Sequence, residues 1–171
     1  DLCDIIKSYD YTTGLDMCCG RGIIGLSLLS YNAIKRCDFT DILQRQVEIC
    51  INNVKTLELE EKSSVYQSDV WENITNKYDL IIANPPWWPY KVDTMMRQDV
   101  YEEAWLDKDW KWHVKFFKGI LEHLNPGGRA LLVEGGFASH VSISEPYLTG
   151  MNYNVFQTID KTTWIMEIIN E

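Results

Sequence analysis

The chain has 171 residues, of which 46% are hydrophobic and 24% charged, with a formal net charge of −9. That length suits one domain with one core, and the acidic balance argues against a stand-alone binder of phosphate backbones or of anionic membranes unless basic residues cluster locally. No apolar run approaches the ~20 residues of a membrane span, and the five cysteines, Cys3, Cys18, Cys19, Cys37 and Cys50, include no C-x-x-C pair, so they read as reduced buried thiols of a cytoplasmic protein.

Residues 1–8 carry Leu2, Ile5 and Ile6, enough for a short helix. The chain starts at Asp1 without an initiator Met or a signal-like segment, so the expectation is a single domain over 1–171 that is a fragment or a minimal catalytic domain, with a recognition domain or partner subunit elsewhere. Residues 12–17 read as a first strand. Gly20-Arg21-Gly22-Ile23-Ile24-Gly25 then turns into a helix over 23–31 whose apolar face includes Ile23, Leu26 and Leu29. Residues 33–40 read as a second strand ending near Asp41, and Val47, Cys50, Ile51 and Val54 give residues 43–57 a helical period. A short third strand, 64–67, leads to Ser68-Asp69-Val70-Trp71.

Leu80-Ile81-Ile82-Ala83 is a continuous apolar run, which predicts a fourth strand buried on both faces. Asn84-Pro85-Pro86-Trp87-Trp88-Pro89 cannot continue it, because three prolines remove backbone donors and fix φ. A stiff loop follows, and then 91–107, polar and irregular with scattered aromatics. Five of the seven tryptophans fall between Trp87 and Trp112. A helix over 109–124 stops at Asn125-Pro126-Gly127-Gly128. On it Trp110, Val114, Phe117, Leu121 and Leu124 form one stripe expected to face a sheet, and Lys108, Lys111, Lys115 and Lys118 form another, read as a solvated face in preference to a basic rail for RNA. His113, His123 and His140 have no metal-ligand spacing and read as surface or packing residues. Residues 129–134 are a fifth strand and 140–149 weakly helical, while 153–159 and 163–169 close the chain as a hairpin around Asp160-Lys161. The alternation predicts a Rossmann-like, doubly wound α/β fold with a mostly parallel seven-stranded sheet and a C-terminal antiparallel hairpin. Strands one and four then meet at the switch point, with the glycine turn and the Asn84 loop flanking one crevice.

The glycine pattern alone fits a nicotinamide dinucleotide as well as S-adenosylmethionine. The acids discriminate. Asp16 lies four positions before Gly20, where it would repel a pyrophosphate but can accept from an ammonium. Asp41 is placed to accept from ribose hydroxyls and Asp69 from an adenine amine. Any one acid reads equally well as a cap or turn residue, but three on successive strand ends suit a phosphate-free ligand rich in donors.

Here the sequence resembles the class I S-adenosylmethionine-dependent methyltransferases. Residues 14–26 look like their first motif, Asp41 like their ribose-binding acid, Asp69-Val70 like their adenine contact and residues 125–128 like the entry to their fifth strand. The resemblance implies S-adenosylmethionine as cofactor, held by Asp16, Met17, Cys18, Gly20, Gly22, Gly25, Asp41, Ile42, Asp69, Val70 and Asn84. The 84–87 stretch resembles the N-P-P-[YFW] motif of amino-methyltransferases, and 84–89 is similar in shape to that of the HemK-like release-factor glutamine methyltransferases. Their acceptors imply catalytic roles for Asn84, Pro85, Pro86 and Trp87. An amide or base nitrogen is a poor nucleophile because its lone pair is delocalised. Two acceptors on its N–H bonds, Asn84 Oδ1 and the Pro85 carbonyl, would orient it, and Trp87 would give a stacking face. Trp88 and Pro89 read as packing, while Trp105, Trp110 and Trp112 with Tyr90 and Tyr101 are candidates for an aromatic wall.

The expected function is therefore N-methylation of a planar amino group. A protein glutamine in a release-factor-like partner comes first; an exocyclic amine of an RNA or DNA base, or a small molecule, is the alternative. A nicotinamide-dependent oxidoreductase and a catalytically silent binding domain are remoter readings. No metal and no membrane partner are expected.

Overall fold

A run such as Leu80 to Ala83, with no polar interruption, is stable only where both faces of its strand are covered. The computed structural model, which describes Ile6 and residues 11–90, 102–135, 139, 141–158 and 162–171, covers both. Strand β4 (Tyr78–Ala83) is central. Ile81 and Ala83 belong to one apolar cluster, and Leu80 and Ile82 to the other. The expected helix at 1–8, most of the irregular 91–107 stretch and the Asp160-Lys161 turn lie largely or wholly outside the described residues.

The remaining elements follow in chain order. They are β1 (Tyr11–Met17), α1 (Ile23–Ser30), β2 (Ile34–Asp41), α2 (Gln44–Thr56), β3 (Ser63–Gln67), then, past β4, α3 (Lys111–His123), β5 (Leu124–Gly135), β6 (Asn152–Gln157) and β7 (Thr163–Ile169). The seven strands are ordered β3-β2-β1-β4-β5-β7-β6. All pairings from β3 to β5 are parallel; β7 runs antiparallel to both neighbours. The sheet thus winds both ways from β1, with β4 and β2 on its two sides, as the strand–helix alternation predicts. Helices α1 and α2 cover one face through Leu26, Leu29, Cys50 and Val54. Helix α3 covers the other through Phe116, Phe117 and Ile120. Among the described residues no helix is long and apolar enough to cross a membrane.

Four local expectations need correction. The buried face of α3 is His113, Phe116, Phe117 and Ile120, whereas Leu121 is exposed and Val114 only half-buried. Asp109 and Trp110 both take left-handed backbone (φ 58 each), so Trp110 ends the entry turn instead of joining the helix, and His113, Phe116 and Ile120, at helical spacing, make the buried face with Phe117. On α1, Ile23 is exposed because it is the first helical residue, at the open end. Strand β5 begins at Leu124, and 125–128 form a bulge, since Tyr78 pairs with Leu124 but Leu80 with Arg129. The weakly helical region resolves into two 3₁₀ turns, Val141–Ile143 and Glu145–Tyr147.

The tightest contact in the α1–β1–β2 layer is at Gly25. A Cβ added there would stand 2.4 Å from Phe39 Cε1 and 3.0 Å from both Asp16 Cβ and Cys37 Sγ. Phe39 is fully buried and cannot move aside. Gly25→Ala should therefore destabilise the chain by about 1–3 kcal/mol, the usual cost of overpacking, read as a lower urea midpoint. An unchanged midpoint would show that α1 does not sit this close to the sheet.

Candidate active site

The carboxyl ends of β1 to β4 open into a cavity of about 530 Å³, a size usual for small-molecule sites. It lies where the strand order reverses, between β1 with β2 on one side and β1 with β4 on the other. Asp16, Met17, Cys18 and Gly20 line it from the first strand and its turn. Asp41 and Ile42 line it from β2, and Asp69 and Val70 from the segment after β3. Asn84 and Pro86 close the β4 side.

Asp16 and Asp41 are held in place by backbone N–H groups, and Asp69 by a lysine side chain. Asp16 is buried and its Oδ2 accepts from Gly25 N–H at 2.8 Å, a bond that the missing Cβ of Gly25 permits. Burial pushes the Asp16 carboxyl up to about 7, partly offset by that N–H and reinforced by the charge of Asp41. Asp41 accepts from Gly20 N–H and Leu43 N–H, each at 2.9 Å. Burial raises its pKa, and those N–H groups oppose the rise. Asp69, at the rim, is ion-paired with Lys115. Gln46 adds an acceptor that the sequence did not signal: its Oε1 is buried in the same wall without a hydrogen-bond partner.

Two of the glycines shape the site from behind. Gly22 is the N-cap of α1 at φ 79, and a Cβ there would meet Cys50 Sγ at 2.6 Å. Gly25 sets the α1–β1 distance. Gly20, also at positive φ (53), faces the cavity with open space beside it. Cys18 is no nucleophile: burial, with the charges of Asp41 and Asp16, pushes its thiol well up, so it stays protonated.

The Asn84 loop is placed in two ways. Asn84 emerges one residue beyond the last β1–β4 pair, Met17 with Ala83, and its exposed side chain makes no hydrogen bond to the described residues. Pro85 is buried behind it. Trp87 does not line the cavity. Its Nε1–H donates to the Val133 carbonyl at 3.0 Å and its ring covers Gly135, where a Cβ would come within 2.4 Å. Trp88 is packing, in a short ladder: its N–H donates to Trp105 O at 3.0 Å and its carbonyl accepts from Asp107 N–H at 2.7 Å.

The rest of the cavity wall was legible in the sequence only in part, through the lysine stripe and Trp112. Leu106, Asp107, Lys108, Lys111, Trp112 and Lys115 line it. The lysines remain exposed, so the stripe is solvated, yet three of its four members border the cavity. Of the aromatic-wall candidates only Trp112 lines the cavity, stacked on Phe116 at 4.9 Å; Tyr90 points to solvent, and Tyr101 lies outside the described residues. His113 is neither surface nor simple packing: it is buried between Asp107 and Glu134. Among the described residues no group of three or more His, Cys, Asp or Glu could hold a metal ion.

The wall fits S-adenosylmethionine. It offers acceptors to an ammonium, two hydroxyls and an amine, including the unmet Gln46 oxygen, and its two buried carboxylates, Asp16 and Asp41, disfavour a pyrophosphate. The comparisons agree. Residues 2–151 match the model of the "Methyltransferase small domain" family. The chain belongs to that family, a class I S-adenosylmethionine-dependent methyltransferase fold, and the nicotinamide alternative falls away. It is 31% identical over 150 residues to the "Ribosomal RNA small subunit methyltransferase C" of Haemophilus influenzae strain Rd, covering 86% of this chain and 38% of the relative. It is 40% identical over 73 residues to the "Release factor glutamine methyltransferase" of Borreliella burgdorferi, covering 43% of this chain and 25% of the relative. The chain thus spans well under half the length of either. M. capricolum TrmK, solved with S-adenosyl-homocysteine, superposes with a TM-score of 0.68 at 12% identity over 98% of this chain and 67% of that one, a likeness of fold.

An ammonium pairs with Asp16 only when the carboxyl is ionised. Because the folded carboxyl sits near 7, above its ordinary 3.8, Asp16 favours the fold below pH 4 and that contribution is lost as pH rises through 7. Ligand binding must run the other way. Affinity for S-adenosylhomocysteine, measured calorimetrically, should rise about tenfold per pH unit from 5.5 towards 7 and then level. Asp16→Asn should bind more weakly and lose this slope; a wild-type affinity independent of pH would remove Asp16 from the ammonium site.

Proposed function

We propose that residues 1–171 act as one methyltransferase domain that N-methylates a planar amino group, and that the acceptor is an exocyclic amine of a ribosomal RNA base. The observation that carries this reading is Asn84: an exposed amide at the end of β4, in the same cavity as Asp16, Asp41 and Asp69. S-adenosylmethionine, when bound, supplies a sulfonium methyl electrophilic enough for a weakly basic nitrogen. Asp16, Asp41 and Asp69 hold its amino acid, ribose and adenine ends, with Met17, Cys18, Ile42 and Val70 forming the walls between them.

Asn84 Oδ1 and the Pro85 carbonyl accept the two N–H bonds of the acceptor. That aims the lone pair and draws it out of conjugation without a strong base, since the alkylated nitrogen is acidic and sheds its proton afterwards. Pro85 and Pro86 keep this pair of acceptors stiff, so little reorganisation remains at reaction. Trp87 acts as the anchor of the loop through Val133 and Gly135.

Two observations favour RNA. The likeness to the ribosomal RNA enzyme runs over most of the chain, and Lys108 and Lys111 put positive charge at the cavity mouth of an otherwise acidic protein. A second reading, a glutamine amide of a protein such as a release factor, draws support from the higher identity of the shorter match. Both acceptors present the same planar –NH2, and both lie in the cytoplasm. Recognition beyond the cavity mouth is assigned to a further domain or a partner subunit.

Labelled-methyl transfer to small-subunit ribosomal RNA, release factors and DNA in parallel tests the acceptor. Label should enter the RNA; label in release factor alone would replace the first reading by the second. Asn84→Ala should bind S-adenosylhomocysteine within about threefold of wild type yet lose at least about a hundredfold in turnover. Wild-type turnover in that variant would refute the role of Asn84. Lys108→Glu with Lys111→Glu should weaken RNA binding and flatten its salt dependence by up to about two in log–log slope.

A further inference from the structure

A buried ionic cluster lies beside the cavity, with Asp107 in the cavity wall. His113 Nδ1 is 2.5 Å from Asp107 Oδ2, and its Nε2 is 3.2 and 3.3 Å from the two oxygens of Glu134. The side chains of His113, Asp107 and Glu134 are 1%, 2% and 1% exposed. Ionised carboxylates only accept, so a ring nitrogen facing one carries a proton, and an ionised carboxylate on each side favours the imidazolium. The indoles of Trp110 and Trp112 stand edge-on to it at 5.1 and 5.3 Å and shut out water.

Each partner of His113 holds a different side of the Asn84 loop. Asp107 belongs to the strap that lies along the loop: its N–H bonds Trp88 O, Trp88 N–H bonds Trp105 O, and Asp109 N–H bonds Pro89 O. Its carboxylate also caps α3, accepting from Trp112 and His113 N–H at 2.7 and 3.2 Å. Glu134 lies between Val133, which takes the Trp87 N–H, and Gly135, on which the Trp87 ring sits. The loop is therefore gripped from outside by the strap and from inside by β5, and the two grips are joined through one ring. None of the three acids of the cofactor half, Asp16, Asp41 and Asp69, is bonded to Asp107, His113 or Glu134.

We propose that His113 is a positioning residue for the acceptor: bridging Asp107 and Glu134, it locks the 105–109 strap to β5 and so holds the 84–89 loop in place, and its deprotonation releases the loop. The proposal rests on the reading of that loop as the acceptor site. The titratable groups that face the ring are Asp107 from the strap and Glu134 from β5; the Cys18 thiol, from the end of β1, lies beyond them, beside Trp112 and within the field of Asp107. Burial alone would lower the pKa of the ring, but the two carboxylates overcome it and push it up to about 9. A folded pKa above the unfolded value of about 6.5 means that the lock is complete below pH 6.5 and is lost as pH rises through 9.

Hydrogen exchange read by peptide, corrected for intrinsic rate, tests this without knowledge of the acceptor. In the wild-type chain, exchange over 84–90 and 102–110 should rise at least about tenfold between pH 8 and 10, while peptides of β1, β2 and β3 keep their protection. His113→Gln should show the same local loosening already at pH 7, with S-adenosylhomocysteine affinity within about twofold of wild type. His113→Gln with Glu134→Gln, which removes the uncompensated carboxylate, should recover part of the protection. Flat exchange over 84–90 across the pH series, or loss of protection everywhere at once, would overturn the lock. Should His113→Gln fail to fold, the wild-type pH series still decides. If no acceptor is methylated even by wild type while the loosening occurs as stated, the function assigned to the loop fails and the lock stands.

Discussion

Helix α1 can approach β1 only because residue 25 has no side chain. Phe39, Cys37 and Asp16 occupy the space that a Cβ would need, and the contact delivers Gly25 N–H to the Asp16 carboxylate. Much else follows from that approach. It fixes the start of α1 at the carboxyl edge of the sheet, which forces the Gly20 and Gly22 turn into left-handed backbone. It also buries Asp16 enough to raise its pKa, leaving an acid whose charge is unfavourable until a cationic group arrives. The glycines serve less to let a ligand approach than to let a helix approach; only Gly20 faces the open cavity.

On the proposed assignment of donor and acceptor, the cavity is two half-sites with different origins. The cofactor side is made of strand ends, where β1, β2 and the segment after β3 each present one acid, and its geometry is inherited from the register of a parallel sheet. The acceptor side is made of loop and strap, which have no such register. Their order comes from particular bonds: the indole of Trp87 on β5, the Trp88 ladder, and the buried carboxylates on His113. Such a division suits a family that keeps one methyl donor while acceptors differ, as the RNA-modifying and protein-modifying relatives do.

What the sequence made legible follows the same division. Strand positions, their order and the acids at their ends came from apolar runs punctuated by glycine and proline, and Asp16, Asp41, Asp69 and Asn84 all line the cavity. The stripe expected on α3 starts from Trp110, which left-handed backbone at Asp109 and Trp110 keeps out of the helix, a conformation that no propensity signals. The reading of His113 as a surface or packing residue fails because a search for apolar periodicity passes over a buried cation. Its partners lie 6 and 21 residues away, a spacing that carries meaning only after folding. Trp87 pointed to the loop, but not to the side of the loop it occupies.

The central claim is that one cavity holds the methyl donor against Asn84. A crystal structure with S-adenosylhomocysteine tests it most directly. The ligand amine should lie at Asp16, the ribose at Asp41 and the sulfur facing Asn84. A ligand bound elsewhere, or bound with its sulfur turned away from the end of β4, would contradict it.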